Sequence, residues 1–130
     1  MNINEINVLV LAYLGDTIYE NYVRRFLIRK GISHVNDLQR EAVSYVSAKN
    51  QAKFVQKMID ISFLTEDEID IVKRARNYKT NNTAKNASIA EYHRATGLEA
   101  VIGYLYLIDD IDRLNEILRL CIGDNNEDRR

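Results

Sequence analysis

Two apolar stretches of helical character each set a glycine beside an acid, and this pairing constrains the fold more than any other feature of the chain. They read Ala12-Tyr13-Leu14-Gly15-Asp16-Thr17-Ile18-Tyr19-Glu20 and Thr96-Gly97-Leu98-Glu99-Ala100-Val101-Ile102-Gly103-Tyr104-Leu105-Tyr106-Leu107. A glycine inside a helix costs about 1 kcal/mol relative to alanine. Gly15, Gly97 and Gly103 therefore need a reason, either a close helix crossing or the approach of backbone to a ligand. A carboxylate on an apolar helix face is expensive to bury without a partner. Asp16 and Glu99, far apart in sequence, point to one shared site whose natural partner is a hard divalent cation. The competing reading is two ordinary helix acids facing water.

The 130 residues contain no proline and only five glycines, while Leu, Ile, Ala, Lys, Arg and Glu are plentiful, which favours an all-α fold. The length suits one domain, residues 1–122, with a frayed tail over 123–130. The single cysteine, Cys121, cannot form an intramolecular disulfide and reads as a small buried residue near the end of the last helix. With no charged-then-apolar leader and no long apolar run, the expectation is a cytoplasmic protein without a membrane span.

Hydrophobic spacing and end signals predict five or six helices. The first region covers about residues 4 to 29, as one long helix or two abutting ones, with Ile6, Leu9, Tyr13, Ile18, Tyr22 and Phe26 on its apolar side and Lys30-Gly31 as its stop. A second region runs from about 36 to 61, either continuous or broken near Ser47, its apolar side carrying Leu38, Val43, Val46, Val55 and Ile59. Lys49, Lys53 and Lys57 line another face at four-residue spacing, either to track a phosphate backbone or simply to meet water. Thr65-Glu66-Asp67-Glu68 and Ser88-Ile89-Ala90-Glu91 are capping boxes. The first opens a helix to about Tyr78, the polar stretch 80–86 is a loop, and the second leads into the Glu99 segment. Asp110 caps a last helix carrying Ile111, Leu114, Ile117, Leu118 and Cys121.

The formal net charge of −1 says little about partners, but its distribution says more. Residues 73–94 hold six Lys or Arg against one acid, whereas residues 95–130 hold four basic against eight acidic side chains. Such a separation is the pattern of a polyanion-binding face on a neutral domain, with a merely solvated surface as the alternative. Neither His34 nor His93 has metal-ligand spacing, and no Ser/His/Asp hydrolase motif or glycine-rich phosphate loop is present.

Leu14-Gly15-Asp16 followed much later by Glu99-Ala100-Val101-Ile102-Gly103 resembles the two halves of the ribonuclease III nuclease signature. Tyr45-Val46-Ser47-Ala48-Lys49, Arg74-Ala75-Arg76-Asn77, Ala84-Lys85-Asn86-Ala87 and the run from Ala95 to Leu107 resemble more closely the Mini-ribonuclease III family. That family is the nuclease domain alone, and the resemblance spans about Val8 to Leu107. It implies an all-α homodimeric endoribonuclease, dependent on Mg²⁺, that cleaves double-stranded RNA and matures the large-subunit (23S) ribosomal RNA precursor, with assistance by a ribosomal protein left open. Asp16 and Glu99 match the signature acids and are the implied catalytic residues and Mg²⁺ ligands. Ala12, Thr96 and Leu9 stand where conventional relatives carry further acids. Tyr13 stands where relatives place an aromatic that inserts into the partner subunit.

On this reading Mg²⁺ activates a water for in-line attack on a phosphodiester, and no protein nucleophile is needed. Glu20, one turn after Asp16, is a candidate further acid of the site or a plain structural helix acid. Duplex RNA is recognised largely by shape and through its phosphates and 2′-hydroxyls, which makes Arg74, Arg76, Lys79 and Lys85 the candidate RNA-binding residues. Tyr78 and Tyr92, interleaved with them, can serve packing or base stacking. Two rival classes are a catalytically silent RNA-binding or ribosome-associated module of the same fold and a helical protein-interaction adaptor. Mg²⁺-dependent cleavage separates the first from the nuclease, and retention on duplex RNA separates the second from both.

Overall fold

Side-chain caps set where all but one of the described α-helices of the computed structural model begin, the exception being the helix that follows His34. Residues 2–78 and 87–123 are described, and among them there is no strand. After a 3₁₀ turn over Ile3–Glu5, the Asn7 side chain accepts from the backbone amide of Leu9 and starts α1 at Val8–Arg29. The helix stops at Lys30, and Gly31 follows with φ of 97°, a conformation that favours glycine. The second region is broken, at Ser47, which ends α2 (Val35–Val46) and caps α3 (Ala48–Asp60) by accepting from the Asn50 amide. Both expected capping boxes form, Thr65 with Glu68 opening α4 (Glu66–Asn77) and Ser88 with Glu91 opening α5 (Ile89–Leu107). Asp110 accepts from the Arg113 amide and opens α6 (Ile111–Ile122). The expected loop at 80–86, and the tail beyond Gly123, lie outside the described residues.

Helix α5 is the centre of the fold, because its apolar residues surround it instead of forming one stripe. Ala95, Leu98, Ala100, Val101, Ile102 and Leu105 are all buried. A helix apolar on all sides has to be covered on all sides, and α1 packs along it most extensively while α3 and α4 flank it. Helix α6 adds Leu114, Ile117, Leu118 and Cys121 to the core. Burial pushes the Cys121 thiol up to about 12, which leaves it inert as a nucleophile.

The apolar side expected for α1 needs correction. Its buried positions are Val8, Leu11, Ala12, Gly15, Tyr19, Val23, Phe26 and Leu27. Of the expected set only Phe26 is buried, Ile6 lies before the helix, Ile18 and Tyr22 pack at the core edge, and Tyr13 is 82% exposed. Apolar residues occur on two faces of this helix, so spacing alone could not choose between them. Val43 and Ile59 are likewise exposed, whereas Leu38 and Val46 pack against the core and Val55 lies within it.

Glu68 does more than cap. Its buried carboxylate receives Nε and Nη2 of Arg113 at 2.9 and 2.7 Å, and Arg113 also donates to the Phe63 carbonyl at 2.7 Å. This bidentate pair fastens the start of α6 to the start of α4.

Candidate active site

Helices α1 and α5 cross at two glycines. A β-carbon on Gly15 would fall 1.7 Å from the backbone oxygen of Glu99, and one on Gly103 would fall 2.0 Å from that of Leu11. The partner number falls along α5 as the residue number rises along α1, so the helices run antiparallel. At this separation neither glycine can be replaced without parting them. Gly97 differs, because a β-carbon there would meet the Val72 α-carbon at 3.4 Å, an ordinary contact.

The crossing brings the two signature acids together. Asp16 follows Gly15 directly, and Gly15 rests on the backbone of Glu99 itself. Asp16 is exposed and Glu99 half-buried. Burial, then the charge of Asp16 and a side-chain hydrogen bond with it, raise the Glu99 carboxyl from 4.5 to about 8, and the charge of Glu20 adds to the shift. The amide of Gln51 acts in the opposite direction. Two carboxylates held this close, one of them able to keep its proton at neutral pH, form a donor set that fits a divalent cation. Glu20 sits at the edge of the pair and faces Arg24 at 3.5 Å. Among the described residues no group of three or more His, Cys, Asp or Glu assembles around a cation position.

The positions where conventional relatives carry additional acids have other roles. Ala12 is buried in the core, and Thr96 is buried with its hydroxyl donating to the Tyr92 carbonyl at 3.0 Å. One neighbour of the acids escaped the sequence reading: Gln51, whose Nε2 lies 3.5 Å from Glu99 Oε2. Its one sequence signal was its closeness to the segment Tyr45–Lys49, which carries part of the family resemblance.

The basic candidates divide. Arg76 is exposed at the end of α4, whereas half-buried Arg74 donates to the Ile6 carbonyl at 2.5 Å and ties α4 to the chain entering α1. Lys79 and Lys85 lie outside the described residues. A cavity of about 340 Å³ between α4, α5 and the end of α3 has an apolar floor of Ile59, Leu64, Ile69 and Val72. Lys73, Arg76, His93 and Arg94 also line it. Arg94 lines a second depression with Lys49 and Lys53, so two of the three striped lysines adjoin this basic region. Tyr78 packs against the core, and the Tyr92 ring lies 6.1 Å from that of His93.

Comparison with known proteins agrees with this fold. The Ribonuclease III domain family matches residues 9–110. Mini-ribonuclease 3 of Streptococcus pneumoniae is 43% identical, over 94% of this chain and 95% of its own length. That of Enterococcus faecalis is 45% identical, over 95% and 96% respectively. The crystal structure of protein FN1578 from Fusobacterium nucleatum superposes with a TM-score of 0.81 at 33% identity, covering 93% of this chain and 95% of that one. The chain therefore belongs to the ribonuclease III family, in its Mini-ribonuclease 3 group, and is an endoribonuclease of double-stranded RNA.

Proposed function

We propose that Asp16 and Glu99 hold Mg²⁺ and that the substrate is the precursor of the large-subunit (23S) ribosomal RNA, cut by a homodimer in the cytoplasm. The observation that carries the metal reading is the Asp16–Glu99 apposition. Two acids brought together by a glycine crossing repel each other unless a proton or a cation lies between them, and burial first and then the charge of Asp16 raise the Glu99 carboxyl. When bound, Mg²⁺ would supply a water of lowered pKa and offset charge on the phosphoryl oxygens. The protein's own part is to fix both carboxylates on rigid helices, so that little reorganisation is needed as the phosphodiester is attacked.

Substrate is held by charge on the α4 side, with Arg74, Arg76, Lys79 and Lys85 as phosphate contacts. The excess of basic residues over 73–94 supports this, as does the exposure of Arg76 beside Lys73 and Arg94. Exposed Tyr13, with Val10 also exposed one turn earlier, supports an α1 seam between subunits. Two sites related by a two-fold axis would then each face one strand of the duplex. Residues 1–122 form the nuclease domain on this reading. Among the described residues no helix is long and apolar enough to cross a membrane.

The direct test is incubation of the purified protein with duplex RNA carrying the 23S precursor stem, with and without Mg²⁺. Asp16→Asn and Glu99→Gln each remove a charged ligand at nearly constant volume and should abolish cleavage while leaving the fold and RNA binding intact. Cleavage by either variant at near wild-type rate overturns the ligand assignment.

A further inference from the structure

Gln51 is a buried amide at the edge of the acidic pair, with no role in the function described so far. It lies in the first turn of α3 and is 2% exposed. Its Nε2 lies 2.9 Å from the Val46 carbonyl and 3.5 Å from Glu99 Oε2, while its Oε1 is buried without a partner. The neighbours fix which way the amide faces. The Val46 carbonyl can only accept, so the NH₂ group must meet it, and a flipped amide would set oxygen against oxygen there. Both amide hydrogens are then used, one on fixed backbone and one on Glu99. Packing alone does not call for this residue, because Met would fill a similar volume; what Met lacks is the Nε2 donor that serves the Val46 carbonyl and Glu99.

We propose that Gln51 is a positioning residue for the nuclease reaction: anchored on the Val46 carbonyl at the α2–α3 corner, its Nε2 orients the Glu99 carboxylate toward the cation. The inference rests on the reading of Asp16 and Glu99 as cation ligands. Val46 ends α2 and Ser47 caps α3, so the anchor belongs to a corner already fixed by its own hydrogen bonds. The contact to Glu99 is long for a hydrogen bond, and contacts of this kind commonly tighten only in the substrate complex. Partners that orient a metal ligand typically change metal affinity or activity by about 10–100-fold when removed.

The test compares wild type, Gln51→Met and Asp16→Asn by calorimetric Mn²⁺ binding and by the Mn²⁺ dependence of duplex RNA cleavage. Gln51→Met should weaken Mn²⁺ binding about tenfold or more and raise the half-saturating concentration for cleavage in parallel, with cleavage recovering as Mn²⁺ is raised. A packing role would move neither quantity in this cation-dependent way. Unchanged Mn²⁺ affinity in Gln51→Met, with binding lost in Asp16→Asn, overturns the positioning role alone. Wild-type protein that binds no Mn²⁺, or Asp16→Asn that binds it normally, overturns the ligand reading and this inference with it. A second measurement needs no Gln51 variant: on titrating wild type with Mg²⁺, the side-chain amide resonances of Gln51 should shift with the same midpoint as the backbone amide of Glu99. Resonances that stay fixed overturn the proposal.

Discussion

Gly15 lies so close to the backbone of Glu99 that a β-carbon on it would stand 1.7 Å from the Glu99 carbonyl oxygen, so the contact that packs α1 on α5 also sets the two acids side by side. Stability and activity should therefore fail together at this crossing. Gly15→Ala and Gly103→Ala force the helices apart and should each cost about 3 kcal/mol, the upper end for overpacking or beyond, with loss of cleavage. Gly97→Ala is the control. It meets only ordinary contacts, so it should be neutral or stabilising by up to about 1 kcal/mol through helix propensity. Urea unfolding of the three variants checks this, and a Gly15→Ala protein as stable as Gly97→Ala would contradict the crossing geometry.

Glu99 predicts a pH dependence of stability in protein free of divalent cations. Its folded-state value of about 8 stands above the ordinary 4.5, so within that window the folded protein keeps a proton that the unfolded chain releases. The stability this confers is present below the unfolded value and is lost as pH rises through the folded one. Urea midpoints should fall from the acid to the alkaline end of the window, Glu99→Gln should flatten the decline, and Mg²⁺ should offset it by favouring the charged pair. Equal slopes in wild type and Glu99→Gln would count against the raised value.

The two described arginines of the candidate RNA face should separate in their effects. Arg76→Ala removes an exposed charge, so it should weaken duplex binding across sequences and lower the salt slope by about one while leaving stability unchanged. Arg74→Ala also deletes the hydrogen bond to the Ile6 carbonyl and should cost about 1.5 kcal/mol of stability in addition. Salt titrations of binding paired with urea unfolding distinguish them. An unchanged salt slope for Arg76→Ala would make it ordinary solvated surface.

Tyr13 tests the dimer. At 82% exposure its ring contributes little to the subunit core, so Tyr13→Ala should leave subunit unfolding nearly unchanged. As a buried anchor between subunits it should instead cost about 2 kcal/mol or more of association. Light scattering should show a shift toward monomer together with reduced cleavage. A wild-type monomer at micromolar concentration that is fully active would remove the dimer from the mechanism.

The sequence by itself determined the helices and singled out Asp16 and Glu99 as the acids of the two glycine-bearing segments. Hydrophobic spacing starts the first helix near residue 4 and misses the cap at Asn7, but Ser47, Thr65, Ser88 and Asp110 mark boundaries through short-range hydrogen bonds to nearby amides, and these need no tertiary partner. Asp16 and Glu99 were legible because each stands beside glycines that a helix tolerates only for a reason. Which face of α1 is buried was decided by tertiary structure alone. Apolar residues occupy two of its faces, and only the fit of Gly15 against Glu99 and Gly103 against Leu11 turns Tyr19 and Val23 inward and leaves Tyr13 outside. Gln51 and the Glu68–Arg113 pair were hidden for a related reason. Each acts across a separation of more than forty residues, and local patterns carry no information about which distant side chain the packed helices will bring within reach.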